Sequence, residues 1–199
     1  MTVRNSIRVL GLALAVLPGT AFAHPGHELV SGAAGGLMHP FTGLDHILAM
    51  LLVGIFAYQL GGRALWALPL TFLAAMAAGG LLGSAGPESW MVETGIALSV
   101  IGLGAAVALN VRAPVALAAA AVGVFAVFHG FAHGAEMPAT ADAVSYGAGF
   151  MLGTAILIGT GIGAAFALNK ARGEPAGGLM RSAGTVAAVA GVGILTGMV

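Results

Sequence analysis

From residue 36 onward the chain repeats apolar runs of about 20 residues, the length needed to cross a bilayer. They lie near 36–60, 64–84, 90–110, 113–135, 143–168 and 179–198. The breaks between them are "QLGGR", "SAGPES", "NVRAP", "HGAEMPATAD" and "NKARGEPAGG". These hold Gly, Pro, Asn and nearly all the charge, as connectors do. The runs are long and lack period-two alternation, so they read as helices rather than strands. Ahead of them, Arg4 and Arg8 precede a short apolar core, "VLGLALAVLPGTAFA", which ends in Ala21-Phe22-Ala23. A positive start, a brief apolar core and an A-x-A ending mark a cleavable signal peptide. The expected organisation is a signal peptide over 1–23 and a single domain over 24–199. That domain is an all-α membrane protein, a six-transmembrane-helix bundle.

Composition sharpens this picture. Of the 199 residues 59% are hydrophobic and only 7% charged, with a mean hydropathy of +1.01. A soluble domain carries roughly 25% charged residues, so this chain cannot clothe a soluble surface. A formal net charge of zero leaves no basic stripe for nucleic acid. The absence of cysteine excludes disulfides, thiolate metal sites and thiol catalysis. No GxxxxGK[ST] loop is present, so ATP is not hydrolysed through that motif. The 33 glycines suit close helix–helix packing. Gly130 with Gly134, and Gly159 with Gly163, are expected at such contacts, and similar faces offer a route to a homo-oligomer.

Charge distribution sets the expected orientation. With the mature N-terminus in the periplasm, Arg63, Arg112, Lys170, Arg172 and Arg181 all face the cytoplasm, as the positive-inside rule requires. Both termini are then periplasmic, in a multi-pass protein of the bacterial inner membrane. All six histidines, His24, His27, His39, His46, His129 and His133, fall on the outer side with Glu28, Asp45, Glu93 and Glu136. Ionisable groups are expensive in membranes and tend to mark pathways.

Two constellations carry candidate chemistry. In "FHGFAHGAEM" (128–137), His129 and His133 are i,i+4 neighbours, and Glu136 extends their face. Two imidazoles at that spacing can chelate one ion. In "GLMHPFTGLDHILAM" (35–49), His39 and His46 are seven residues apart, about 10 Å along a straight helix. That is too far for one ion held at about 2.1 Å. Pro40 disfavours helix at His39, and Thr42 with Asp45 has the spacing of a capping box. The regular helix is therefore expected to begin near Thr42, with His39 in a bent entry segment folded back towards Asp45 and His46. Met38, Met50, Met91 and Met137 read as core filler rather than soft ligands. Glu93 is a pathway candidate or an interfacial residue.

These residues carry a family resemblance. "HPFTGLDH" resembles the H-x5-D-H signature of the HupE/UreJ family, nickel permeases linked to hydrogenase and urease maturation. "FHGFAHGAE" is similar to that family's second signature. The signal peptide followed by "HPGHE", the chain length and the six-helix layout agree. The resemblance spans essentially the whole chain. It implies import of nickel, or cobalt in some members, with His39, Asp45 and His46 as the critical trio.

The donor set itself suits Ni(II), Co(II) or Zn(II). Such transport would be secondary or channel-like, with proton competition at the histidines. An inverted 3+3 repeat draws no support, because both histidine clusters lie on one side. A rival reading is a zinc-dependent intramembrane hydrolase, with Glu136 as general base. A third is a metal-binding chaperone or sensor without transport. Metal uptake discriminates among them. In the mature N-terminus "HPGHE", the α-amine and imidazole of His24, with His27 and Glu28, form a candidate capture chelate. Its alternative is a solvated tail.

Overall fold

A computed structural model describes residues 32–86, 90–137, 142–172 and 175–198. The expected signal peptide and His24, His27 and Glu28 lie outside these residues. The described chain is helical throughout, in the order α1 (Ala33–Met38), a 3-10 turn (His39–Phe41), α2 (Leu44–Leu60), α3 (Ala64–Gly83), α4 (Trp90–Ala108), α5 (Val115–Glu136), α6 (Ala143–Arg172) and α7 (Pro175–Leu195). The helices α3 to α7 are long and apolar enough to cross a membrane. Ala33–Phe41 and Leu44–Leu60 meet at 83°, and counted as one broken span they make a sixth. Apolar side chains such as Trp66, Leu70, Leu81, Val144 and Phe166 face outward, as a lipid-facing surface requires.

The first span departs from expectation in three ways. His39 is helical, at φ −55° and ψ −45°, despite Pro40. Proline sits here at the start of a 3-10 turn, where its missing N–H costs nothing. The break falls instead at Gly43, which is extended at φ −103° and ψ 131°. The regular helix therefore starts at Leu44, two residues later than expected. No capping box forms: the Thr42 hydroxyl donates back to the His39 carbonyl at 2.7 Å, and Asp45 turns to His46.

Glycine brings the helices into backbone contact. A Cβ on Gly79 or Gly83 of α3 would strike the carbonyls of Val127 and Phe131 on α5. Reciprocally, a Cβ on Gly130 or Gly134 would strike those of Met76 and Gly80. Gly54 meets α6 at Ile158, and Gly104 and Gly184 join α4 to α7. Gly130 and Gly134 thus sit in a helix seam, as expected. Gly159 and Gly163 do not: both are exposed and would meet nothing within 4 Å. The inward contact on that stretch is made by Gly161 against Leu51. Between the seams lies a core of Met50, Val53, Leu68, Phe72, Val100 and Val122. Met38 and Met91, expected as filler, are instead exposed, because they sit at helix ends clear of this core.

The short α1 is seated on α6 by the same device. Gly36 packs on the Tyr146 carbonyl and Gly149 on the Ala33 carbonyl. Gly149→Ala should therefore lower stability by roughly 1–3 kcal/mol, the usual cost of overpacking. Gly147→Ala, two residues away with open space at its Cβ, should be neutral or slightly stabilising because Ala favours helix. Thermal unfolding of the two variants in one detergent checks this, and equal midpoints would exclude a tight α1–α6 contact.

Candidate metal centre

At one end of the bundle, side chains from α2, α5, α6 and the 3-10 turn gather. The i,i+4 spacing turns His129 and His133 inward together, and both are buried. The α3–α5 glycine seam leaves no bulk beside them. His46 enters from the first turn of α2, and the 83° break swings His39 over the top. The His46 ring lies 4.2 Å from that of His133 and 5.1 Å from that of His129, centroid to centroid. The His39 ring lies 4.8 Å from that of His133. Phe150 walls the site 4.1 Å from His133, and Phe72 lies 6.0 Å from His129 on the core side.

The polar partners divide the cluster. Asp45 Oδ1 lies 2.7 Å from His46 Nδ1. An ionised carboxylate only accepts, so His46 carries its proton on Nδ1 and leaves Nε2 with a free lone pair. The Ser99 hydroxyl donates to the Ile96 carbonyl at 2.6 Å. Its single proton thus committed, Ser99 accepts from His129 Nε2 at 2.8 Å, and Nδ1 of His129 keeps the lone pair. His39 pairs through Nδ1 with the Tyr146 hydroxyl at 2.7 Å, and its Nε2 lies 3.5 Å from Glu136. Glu136 also lies 3.8 Å from His133 Nδ1.

Four buried nitrogens here have no hydrogen-bond partner: His46 Nε2, His129 Nδ1 and both nitrogens of His133. Leaving a buried polar atom unpaired costs roughly 1–3 kcal/mol, so this grouping calls for something to complete it. One ligand atom each from His39, His133 and Glu136 lies within 4.8 Å of the others. A modest closing movement would bring three such donors around one ion. The Asp45–His46 pair depends on Gly43, whose Cβ would sit 2.6 Å from both Asp45 Oδ1 and His46 Nδ1.

All six ligands expected from the two motifs, His39, Asp45, His46, His129, His133 and Glu136, meet at this end. The expected partition differs. His39 joins His133 and Glu136 rather than turning to Asp45, which pairs with His46.

The family model described as HupE / UreJ protein matches residues 12–194. Protein HupE of Rhizobium leguminosarum bv. viciae is 47% identical over 187 residues, covering 94% of this chain and 95% of that protein. The chain belongs to the HupE/UreJ family. No solved structure matches it.

In this HupE/UreJ protein, Glu93 lines a cleft of about 290 Å³ with Trp90, Phe131 and Glu136. A second cavity, about 370 Å³ and largely apolar, opens beside His133 between Met76, Tyr146 and Phe150. Sequence reasoning missed Ser99 and Tyr146. Each is a hydroxyl on an apolar helix, and Ser99 in "GIALSVIG" is the single polar side chain of its stretch. Nothing in that spacing says it faces a histidine thirty positions on.

The opposite end of the bundle is basic. Arg112 donates to the Gln59 carbonyl and Arg181 to the Ala108 carbonyl, at the ends of α2 and α4. With Tyr58, Asn110 and Asn169 they line a cavity of about 260 Å³.

Proposed function

We propose that this HupE/UreJ protein imports a divalent transition metal, nickel first and cobalt second, across the bacterial inner membrane for metalloenzyme maturation. The observation that carries the reading is the gathering of four imidazoles and two carboxylates around buried, unpartnered nitrogens at one end of a membrane-spanning bundle. Imidazole with carboxylate suits borderline divalent ions. In this reading residues 1–23 are removed as a signal peptide, and 24–199 form one domain with both termini in the periplasm. The histidine end faces outward and the arginine end inward. His39, His133 and Glu136 receive the ion; His46, held by Asp45, and His129 take it deeper; Glu93 extends the entry path. His24, His27 and Glu28 capture metal ahead of the membrane site. Transport is secondary or channel-like.

The apolar cavity beside His133 is the one feature that favours the hydrolase reading, since a lipid chain would fit it. Metal accumulation by cells or vesicles, with no lipid product released, supports the permease. Lipid hydrolysis without accumulation would reverse the choice.

Asp45→Asn should leave the fold intact while lowering metal affinity and uptake about 10–100-fold, the usual cost of removing a carboxylate behind a ligating histidine. Unchanged uptake at limiting nickel would deny Asp45 that role. The His24→Ala, His27→Ala double variant should raise the half-saturation concentration with little change in maximum rate, once signal cleavage is verified. An unaltered half-saturation would dismiss capture by the tail.

A further inference from the structure

The geometry points to two metal stations in series, sharing His133, with Ser99 as the positioning residue of the inner one. The inference rests on the metal-binding reading above and adds what that reading leaves open: how an ion moves from the mouth into the bundle.

The outer groups are the more exposed, and the inner ones are nearly or fully buried, His46 keeping 12% of its side chain exposed. The Glu136 side chain is 43% exposed and that of His39 30%; that of His133 is 4% exposed, and His129 is fully buried. The outer station is His39, His133 and Glu136, whose ligand atoms approach within 4.8 Å of one another. The inner station is His46 Nε2 and His129 Nδ1, two free lone pairs whose rings stand 5.1 Å apart, with His133 as third donor. His133 is the pivot: Nδ1 faces Glu136, and Nε2, also buried and unpartnered, lies on another edge of the ring. A neutral imidazole offers one lone pair at a time, so His133 serves one station or the other and the two are not filled together. Which station is filled is therefore tied to the His133 tautomer: metal on Nδ1 leaves the proton on Nε2, and metal on Nε2 leaves it on Nδ1.

The supporting groups differ in kind. Tyr146 beside His39 both donates and accepts, so it tolerates either tautomer and makes an adaptable receiving site. Asp45 and Ser99 can only accept from their histidines, because one is a carboxylate and the other has spent its proton on Ile96. They fix the ring proton of His46 on Nδ1 and that of His129 on Nε2, so in each neutral ring the lone pair is on the other nitrogen. Ser99 does not reach the metal; it acts by fixing His129.

The test uses purified, processed full-length protein in lipid nanodiscs, with Ni(II) alone as probe. Four proteins are compared by equilibrium dialysis: wild type, Glu136→Gln, Ser99→Ala and the double variant. Helical circular dichroism and elution volume verify their fold. With alternative stations, each single variant keeps binding at one ion per chain through the station left intact. The double variant then loses at least about tenfold more affinity than the product of the single losses, a coupling of about 1.4 kcal/mol. X-ray absorption should find a carboxylate oxygen around nickel in Ser99→Ala and a more nitrogen-rich shell in Glu136→Gln. Single losses that multiply, or the same shell in both variants, would overturn the two stations while leaving a single metal site standing. Failure of the wild type to bind nickel at all would overturn the metal reading and this inference together.

Discussion

Backbone contact between α3 and α5 is the constraint on which the rest of the molecule depends. Membrane helices gain little from burying apolar surface against one another, because lipid is already apolar. Close approach through small residues supplies the attraction instead. Here Gly79 and Gly83 face the α5 backbone while Gly130 and Gly134 face that of α3. The contact also fixes the rotation of α5, because its two seam glycines alternate with His129 and His133. Once α5 is pinned glycine-side to α3, the imidazoles turn inward to meet His46 and Ser99. A bulky side chain in that seam would shift the histidines as well as the packing.

The second organising fact is the cost of hiding polar atoms where water cannot reach them. Most buried polar groups in folded proteins are paired, and many here obey. The Gln59 amide nitrogen donates to the Val107 carbonyl, and the Thr154 hydroxyl finds the Met76 sulfur. Among the described residues the exceptions are the Gln59 Oε1 and four nitrogens of His46, His129 and His133. Nitrogens desolvated in this way would gain from a cation placed among them, and Phe72 closes the core side of His129.

The sequence carried the architecture in its run lengths, and it carried the pairing of His129 with His133 because helical periodicity is a local property. The histidine end and the arginine end could be separated by counting charges loop by loop. Signals spread over long separations were not legible. Ser99 reaches His129, and Tyr146 reaches His39, only through the three-dimensional order of the helices. The capping box at Thr42 failed for a physical reason: Gly43 takes the extended conformation that starts the helix, which frees Asp45 for His46. Pro40 misled in the same segment, because proline tolerated at the start of a short turn looks in sequence like proline that breaks a helix. For Gly159 and Gly163 the spacing was right but the face was wrong, since glycine composition does not reveal which side of a helix meets a neighbour.

The length of α6 has a mechanical consequence. Its 30 residues make a rod about 45 Å long at 1.5 Å per residue, well beyond the roughly 30 Å of a hydrocarbon core. One end carries Tyr146 and Phe150 at the histidines, and the other carries Asn169 in the basic cavity. A single element therefore touches both mouths of the bundle, pinned near its start by Gly149 and along its length by Gly161. Such a rod works as a lever. Any tilt imposed by lipid thickness or by a repacked histidine end would be delivered, with opposite displacement, to the arginine end about six turns away.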